Sequence, residues 1–170
     1  ETFGDQRMAA LLNPSSVSTD NQMMLMARAS GGGTGYTASI NFKNNKLIIS
    51  DLGAEGKLDE IDLDDVASGV WTPNSSIYLE FDLIGNALTA RVFNSPGDSS
   101  PIAELSYIDT LNLHTTGISG VFTQAAKGDG PATYGAWDSV SVTSVASIPE
   151  PTSAALIAAL GGVMAFRRRR

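Results

Sequence analysis

The sequence predicts an all-β fold, a two-sheet sandwich or barrel, followed by a separate tail. Three observations carry this. Upstream of residue 145 the chain is a succession of short runs in which polar and apolar residues alternate, rich in Thr, Ser, Val, Ile and Gly. That is the period of half-buried strands. Clusters of Gly, Asn, Pro and Asp separate the runs, as turns require. The composition then changes abruptly to Pro-Glu-Pro at residues 149–151, an apolar run over 154–166 and four arginines.

Composition bounds the function. The 170 residues are 42% hydrophobic and 17% charged, too apolar for a disordered chain and too mixed for a polytopic membrane protein. The formal net charge is -7, and it becomes -10 over residues 1–148, once the four terminal arginines and Glu150 are set aside. A domain that acidic is repelled by nucleic acid and by anionic lipid, so neither is an expected partner. There is no cysteine, which excludes disulfides, zinc-thiolate sites and thiol nucleophiles. His114 is the only histidine, so multi-histidine metal sites are excluded too.

Strands are predicted over 7–13, 22–29, 35–43, 46–51, 77–84, 87–94, 102–107, 117–123 and 136–143, with no helix before residue 150. The pair 77–84 and 87–94 flanks Gly85-Asn86, residues suited to the positive φ of a two-residue hairpin turn. Pairing outward sets Leu83 against Leu88, Phe81 against Ala90 and Leu79 against Val92 on one apolar face. A slip of one residue would turn that set outward, so the register is well specified. On the other face Glu80 falls opposite Arg91, a predicted ion pair. A second hairpin is predicted around Asn44-Asn45, with Phe42 opposite Leu47 and Ile40 opposite Ile49. Ile40, Phe42, Ile49, Leu79, Phe81, Leu83, Val92 and Val121 are the expected inward residues.

Met26-Ala27-Arg28, a Gly-rich turn and Gly35-Tyr36-Thr37-Ala38 resemble the first half of a LamG-like domain of the concanavalin A-like lectin/glucanase superfamily. The hairpin around Gly85-Asn86, Thr116-Gly117-Ile118-Ser119-Gly120-Val121 and Trp137-Asp138-Ser139-Val140-Ser141-Val142 fit the same pattern. The resemblance covers residues 7–143. It implies an antiparallel jelly-roll sandwich over 1–146, lacking the strand or strands that precede the equivalent of Arg7 in the family.

Residues 147–170 combine Pro149, Glu150 and Pro151, an apolar run and Arg167, Arg168, Arg169 and Arg170. The prolines lack amide protons and fix φ, which keeps the segment extended. The 13-residue run would span about 20 Å as a helix, short of the ~30 Å hydrocarbon core. Snorkelling arginines narrow the gap and hold that end on the cytoplasmic side, leaving the domain outside. This order resembles the PEP-CTERM sorting signal of exopolysaccharide-producing Gram-negative bacteria. The resemblance implies a linker and short C-terminal apolar helix transiently inserted in the inner membrane. It makes Pro149, Glu150 and Pro151 the recognition motif of an exosortase, and the arginines the orientation signal. The chain is thus expected to be exported and to reach the cell surface or extracellular matrix.

For the sandwich itself the expectation is a non-enzymatic module that binds a glycan or another surface partner, with a purely structural matrix component as one alternative. The other alternative is a glycoside hydrolase or lyase. Glu60-Ile61-Asp62-Leu63-Asp64 resembles the Glu-x-Asp-x-Glu motif of jelly-roll glucanases, with Asp64 in place of the second glutamate. Retaining hydrolysis needs carboxyls about 5–5.5 Å apart, whereas strand positions four apart lie about 13 Å apart at Cα. The competing reading is a charged edge strand that blocks edge-to-edge pairing. Asp59, Asp62, Asp64 and Asp65 are candidate calcium ligands, since calcium takes six to eight oxygens; no other cofactor is expected. Trp71, just ahead of Pro73-Asn74, is the candidate for stacking on a sugar ring, while Tyr36 and Trp137 are assigned to the core. His114 is read as hydrogen-bonded rather than catalytic.

Overall fold

The computed structural model describes residues 4–14, 22–53, 55–66, 75–124 and 135–145. Trp71, the Pro149–Pro151 motif, the apolar run and Arg167 to Arg170 lie outside them. Among the described residues the strands are β1 (Gln6–Asn13), β2 (Gln22–Ala29), β3 (Tyr36–Asn41), β4 (Lys46–Asp51), β5 (Gly56–Asp62), β6 (Ile77–Ile84), β7 (Ala87–Phe93), β8 (Ala103–Ile108), β9 (Ile118–Gln124) and β10 (Ala136–Ser144). One helical turn, α1 (Leu63–Val66), follows β5. Sheet I has the order β10-β1-β6-β7-β8 and sheet II the order β5-β4-β3-β2-β9. All pairings are antiparallel. The chain starts in sheet I, builds four strands of sheet II, returns for β6–β8, crosses for β9 and ends on β10. Among the described residues no helix is long and apolar enough to cross a membrane.

The core lies between the sheets and follows from alternation. Leu79, Phe81 and Leu83 of β6 meet Leu88, Ala90 and Val92 of β7 in the predicted register, and all six are fully buried. Gly85 takes the positive φ, 57°, at the hairpin tip. From sheet II come Met23, Leu25, Tyr36, Ile40 and Ile49, each buried. Removing an aliphatic side chain of this size from water contributes about 1.5–3 kcal/mol, so inward alternation fixes which face each residue takes. Phe42 is buried as expected, and Val121 and Trp137 pack partly buried against the core.

Three expectations need correction. The β3–β4 register is shifted by two residues, setting Ile40 opposite Leu47 and Ala38 opposite Ile49. The loop is longer than Asn44-Asn45 because the Asn41 carboxamide accepts the Lys43 and Asn44 amides, while Asn45 takes a φ of 49°. A shift of two keeps every side chain on its face, so the core is unaffected. Residues 56–62, absent from the predicted strands, form β5, the edge of sheet II. It ends in α1, where the Asp62 carboxylate accepts the Asp64 amide as a helix N-cap does.

The third correction concerns Arg91. It stands opposite Glu80 in register, yet its guanidinium donates to Asp82 (2.7 Å) and Glu104 (2.6 Å). Diagonal neighbours on a twisted sheet lie within reach of a long side chain. Asp82 also receives both Nε and Nη2 of Arg7, at 2.6 and 2.7 Å. One nearly buried carboxylate on the outer face thus ties β1 to β6 and β7. Burial pushes the Asp82 carboxyl up, but the two guanidiniums outweigh it and hold the group below its ordinary value. A depressed carboxyl stabilises the fold fully above its unfolded pKa of about 3.9 and loses that contribution as pH falls through the folded value. Asp82→Asn is therefore expected to lower unfolding free energy at pH 7 by about 1–3 kcal/mol. In urea titrations across pH 2–7 the variant should also show a shallower acid-side decline than wild type.

Candidate functional site

One end of the sandwich is organised around Arg28. The sequence there is an apolar strand, Met23 to Ala27, that meets a lone arginine before a Gly-rich turn. The β2–β9 pairing is interrupted between Met26 and Ala29, and Arg28 adopts a φ of 49°. A bulge with a left-handed residue re-aims its side chain, and here the guanidinium turns toward the far sheet. It is 2% exposed. Nε donates to the carbonyl of Gly4 (3.0 Å), Nη1 to those of Gly85 (2.7 Å) and His114 (3.2 Å), and Nη2 to Asp5 Oδ1 (3.1 Å). Asp5 Oδ1 also accepts the Gly85 amide at 2.9 Å. Arg28 therefore joins sheet II to the start of β1, to the β6–β7 hairpin tip and to the β8–β9 segment. Burial lowers its pKa and the neighbouring Asp5 charge opposes that shift.

Gly117 fits closely against this bulge. A Cβ there would stand 2.3 Å from the Arg28 carbonyl carbon, so no side chain is accommodated. The segment between β8 and β9 is folded around Asp109, whose carboxylate accepts the Leu111 (2.9 Å) and Leu113 (2.8 Å) amides and the Tyr36 hydroxyl. The Tyr36 oxygen in turn accepts the His114 amide at 3.1 Å. His114 Nε2 lies 2.9 Å from Asp51 Oδ1, whose carboxylate also accepts the Gly53 and Glu55 amides. The His114 ring stands edge-on to Tyr36 at 4.9 Å. Burial, then the bond to Asp109, pushes the Tyr36 phenol up to about 12, so it stays a donor. Burial pushes Asp109 and Asp51 up, yet their donors prevail and hold both carboxyls below the ordinary range. The reading of His114 as a hydrogen-bonded residue and of Tyr36 as a core residue agrees with this network.

These constraints leave an open pocket of about 400 Å³ lined by Asp5, Arg28, Gly85, Asn86, Asn112 and Thr115. That is within the ~300–1,000 Å³ range of small-molecule sites. Asn112 presents its carboxamide from a left-handed backbone, φ 51°, a conformation Asn tolerates better than most residues. The lining offers carboxamides, a hydroxyl, a carboxylate and a guanidinium but no aromatic face. Its two titrating groups, Asp5 and Arg28, are paired with each other, so no two carboxylates converge for acid–base work. Sequence reasoning missed the pocket; its one signal was a charged residue closing an apolar strand.

The acidic cluster of β5 lies elsewhere, at the edge of sheet II. Glu60 holds Lys46 at 2.7 Å and Lys57 at 2.9 Å, one on each carboxylate oxygen. Those hydrogen bonds lower its pKa, whereas a general acid needs the opposite shift. Asp64 sits in α1 and accepts from Asn45 Nδ2. The carboxylates proposed for hydrolysis do not share a groove, and the charged edge-strand reading holds. Asp59 accepts the Glu60 amide and Asp62 the Asp64 amide; Asp65 is exposed. Among the described residues no three His, Asp or Glu side chains are grouped to hold a metal ion, so Asp59, Asp62, Asp64 and Asp65 do not form the expected calcium site.

No family model matches the chain, and no curated protein matches it. Solved structures do. The carbohydrate-binding module CBM66 from Bacillus subtilis superposes with a TM-score of 0.61 over 85% of this chain and 78% of its own, at 14% identity. Chicken galectin 2 gives 0.54 over 83% of this chain and 92% of its own, at 7% identity. Sheep galectin-11, solved in complex with glycerol, gives 0.53 over 84% and 95%, at 13% identity. The fold is a jelly-roll sandwich similar to theirs. The likeness extends across nearly the whole of each galectin, and the similarity is one of fold rather than sequence.

Arg28→Ala is expected to remove the donor from the Gly4, Gly85 and His114 carbonyls and the partner from Asp5, at roughly 1–3 kcal/mol in all. Its thermal midpoint should fall well below that of wild type. Arg28→Lys should recover only a minor part, because an ammonium cannot reproduce the planar fork. Differential scanning calorimetry of the three proteins checks the order.

Proposed function

We propose that this chain is a non-catalytic glycan-binding module, exported and sorted through its C-terminal segment to the cell surface or extracellular matrix. The observation that carries the binding reading is the pocket around Arg28. Sugar hydroxyls both donate and accept, and they are held best by carboxamides, carboxylates and guanidinium groups fixed in place beforehand. Asn86, Asn112, Thr115, Asp5 and Arg28 supply those groups on backbone held by the Arg28 and Asp109 networks. The presence of a carbohydrate-binding module and of galectins among the fold neighbours supports the same reading. So do the partners of the acidic edge, where Glu60 is taken up by Lys46 and Lys57 and Asp64 by Asn45, which counts against the glucanase-like alternative. A glycan array probed with the full chain should give specific binders. Asn112→Gly keeps the left-handed backbone while removing the carboxamide. It should weaken those binders about three- to tenfold, the equivalent of one hydrogen bond. Unchanged array binding would remove the pocket from the account.

The sorting reading rests on the sequence. Pro149-Glu150-Pro151, the Ala- and Leu-rich run and Arg167 to Arg170 form the three-part PEP-CTERM pattern, with an exosortase as the partner. The run is long enough to retain the chain in the inner membrane and shorter than a lasting anchor. Each arginine would cost about 2.5–3.5 kcal/mol at the membrane centre, which keeps that end inside. Mass spectrometry of the surface protein from a host with an exosortase should show loss of residues 152–170. Replacing Pro149, Glu150 and Pro151 by alanine should abolish the cut. Retention of the tail in the wild type would make it a simple anchor.

A further inference from the structure

We infer that the pocket around Arg28 selects neutral sugar units and rejects acidic ones; this rests on the glycan-binding reading and adds the class of ligand to it. The argument starts from which charge faces a ligand. Among the described residues Arg28 is the only cation in the lining, and four of its N–H groups already serve Gly4, Gly85, His114 and Asp5. A guanidinium offers five in all, so no two-pronged fork remains for an incoming carboxylate. Its side chain is also the deeper of the pair, 2% exposed against 23% for Asp5. Asp5 uses Oδ1 for Arg28 and the Gly85 amide. Its Oδ2 receives no donor from the described residues. The charge presented outward is therefore a carboxylate oxygen with room to accept.

That arrangement suits hydroxyl groups. One sugar hydroxyl can donate to Asp5 Oδ2 while its neighbours exchange hydrogen bonds with the Asn86 and Asn112 carboxamides and the Thr115 hydroxyl. A sugar carboxylate in the same place would stand against Asp5 with no free fork to compensate. It would also approach a domain whose residues 1–148 carry a net charge of -10. Both effects act against uronic acids and other anionic sugars. With no aromatic ring in the lining, orientation depends on these polar contacts, so the charge at Asp5 weighs heavily in the choice.

The test is ligand-observed saturation-transfer NMR on the full chain. The probes are the methyl glycosides of glucose, galactose and mannose, and the methyl uronosides of the same three sugars. Wild type should bind at least one of the three hexosides about tenfold or more tightly than its uronoside partner. Asp5→Asn is isosteric and keeps the acceptor for Arg28 and Gly85. It should bring that ratio below about threefold, chiefly by strengthening uronoside binding. Asn112→Gly should weaken the neutral glycoside without restoring the acidic one, which places the effect in this pocket. Equal binding of a hexoside and its uronoside by wild type, or a ratio untouched by Asp5→Asn, overturns the inference and leaves the glycan-binding reading standing. Saturation transfer to none of the probes overturns both.

Discussion

The guanidinium of Arg28 ties the end of β2, in sheet II, to the start of β1 and the β6–β7 tip of sheet I, to which no strand pairing joins it. Sheet I and sheet II are each continuous ladders, and between them lies an apolar core that is indifferent to sliding. At the Arg28 end the left-handed bulge turns one side chain of β2 across the gap, where its N–H groups meet the carbonyls of Gly4, Gly85 and His114 and the carboxylate of Asp5. These bonds constrain the hairpin tip, the start of β1 and the β8–β9 segment together. The pocket is what remains between these pinned backbones, which is why its geometry is set before any ligand arrives.

A second polar network supports the first. Tyr36, Asp109, His114 and Asp51 connect the ends of β3 and β4 to the segment that carries Asn112 and Thr115. The acceptors of this network are carboxylates whose pKa values are held down by their donors, so it is intact at neutral pH. The outer face of sheet I uses the same chemistry differently. There Asp82 between Arg7 and Arg91 braces three strands and has no part in the pocket. The molecule thus separates its polar groups into a brace on a sheet face and a pocket at one end, with Glu60 and its lysines guarding the edge at β5.

Much of this was legible in the sequence because it is local. The β6–β7 register followed from alternation around Gly85-Asn86, and seven further strands were read to within a residue or two. The β3–β4 register was missed because a single carboxamide, Asn41, lengthens the loop. β5 was read only at its acidic end, as a charged edge, and its first residues were missed because charges dilute their alternation. The partners of Arg91 depended on β8, which arrives from residue 103 onward to place Glu104 beside it. The pocket was the least legible feature. Arg28, Asp5, Gly85, Asn112 and Thr115 are scattered over more than a hundred residues, and only sheet order brings them together. The acidic run from Asp59 to Asp65 drew attention as a site because its members are adjacent in sequence, yet strand geometry sends them to different partners.

Arg28 is a fixed strut of the pocket end rather than a mobile surface arginine. Nitrogen-resolved NMR of the arginine side chains tests it most directly. A buried guanidinium bonded to three carbonyls and a carboxylate should show separate, slowly exchanging Nη–H signals for Arg28, protected from solvent to the degree of the β2 and β6 amides. Arg7, half exposed, serves as the internal comparison and should exchange faster. Averaged Nη signals for Arg28 that exchange with solvent as fast as those of Arg7 would contradict the account.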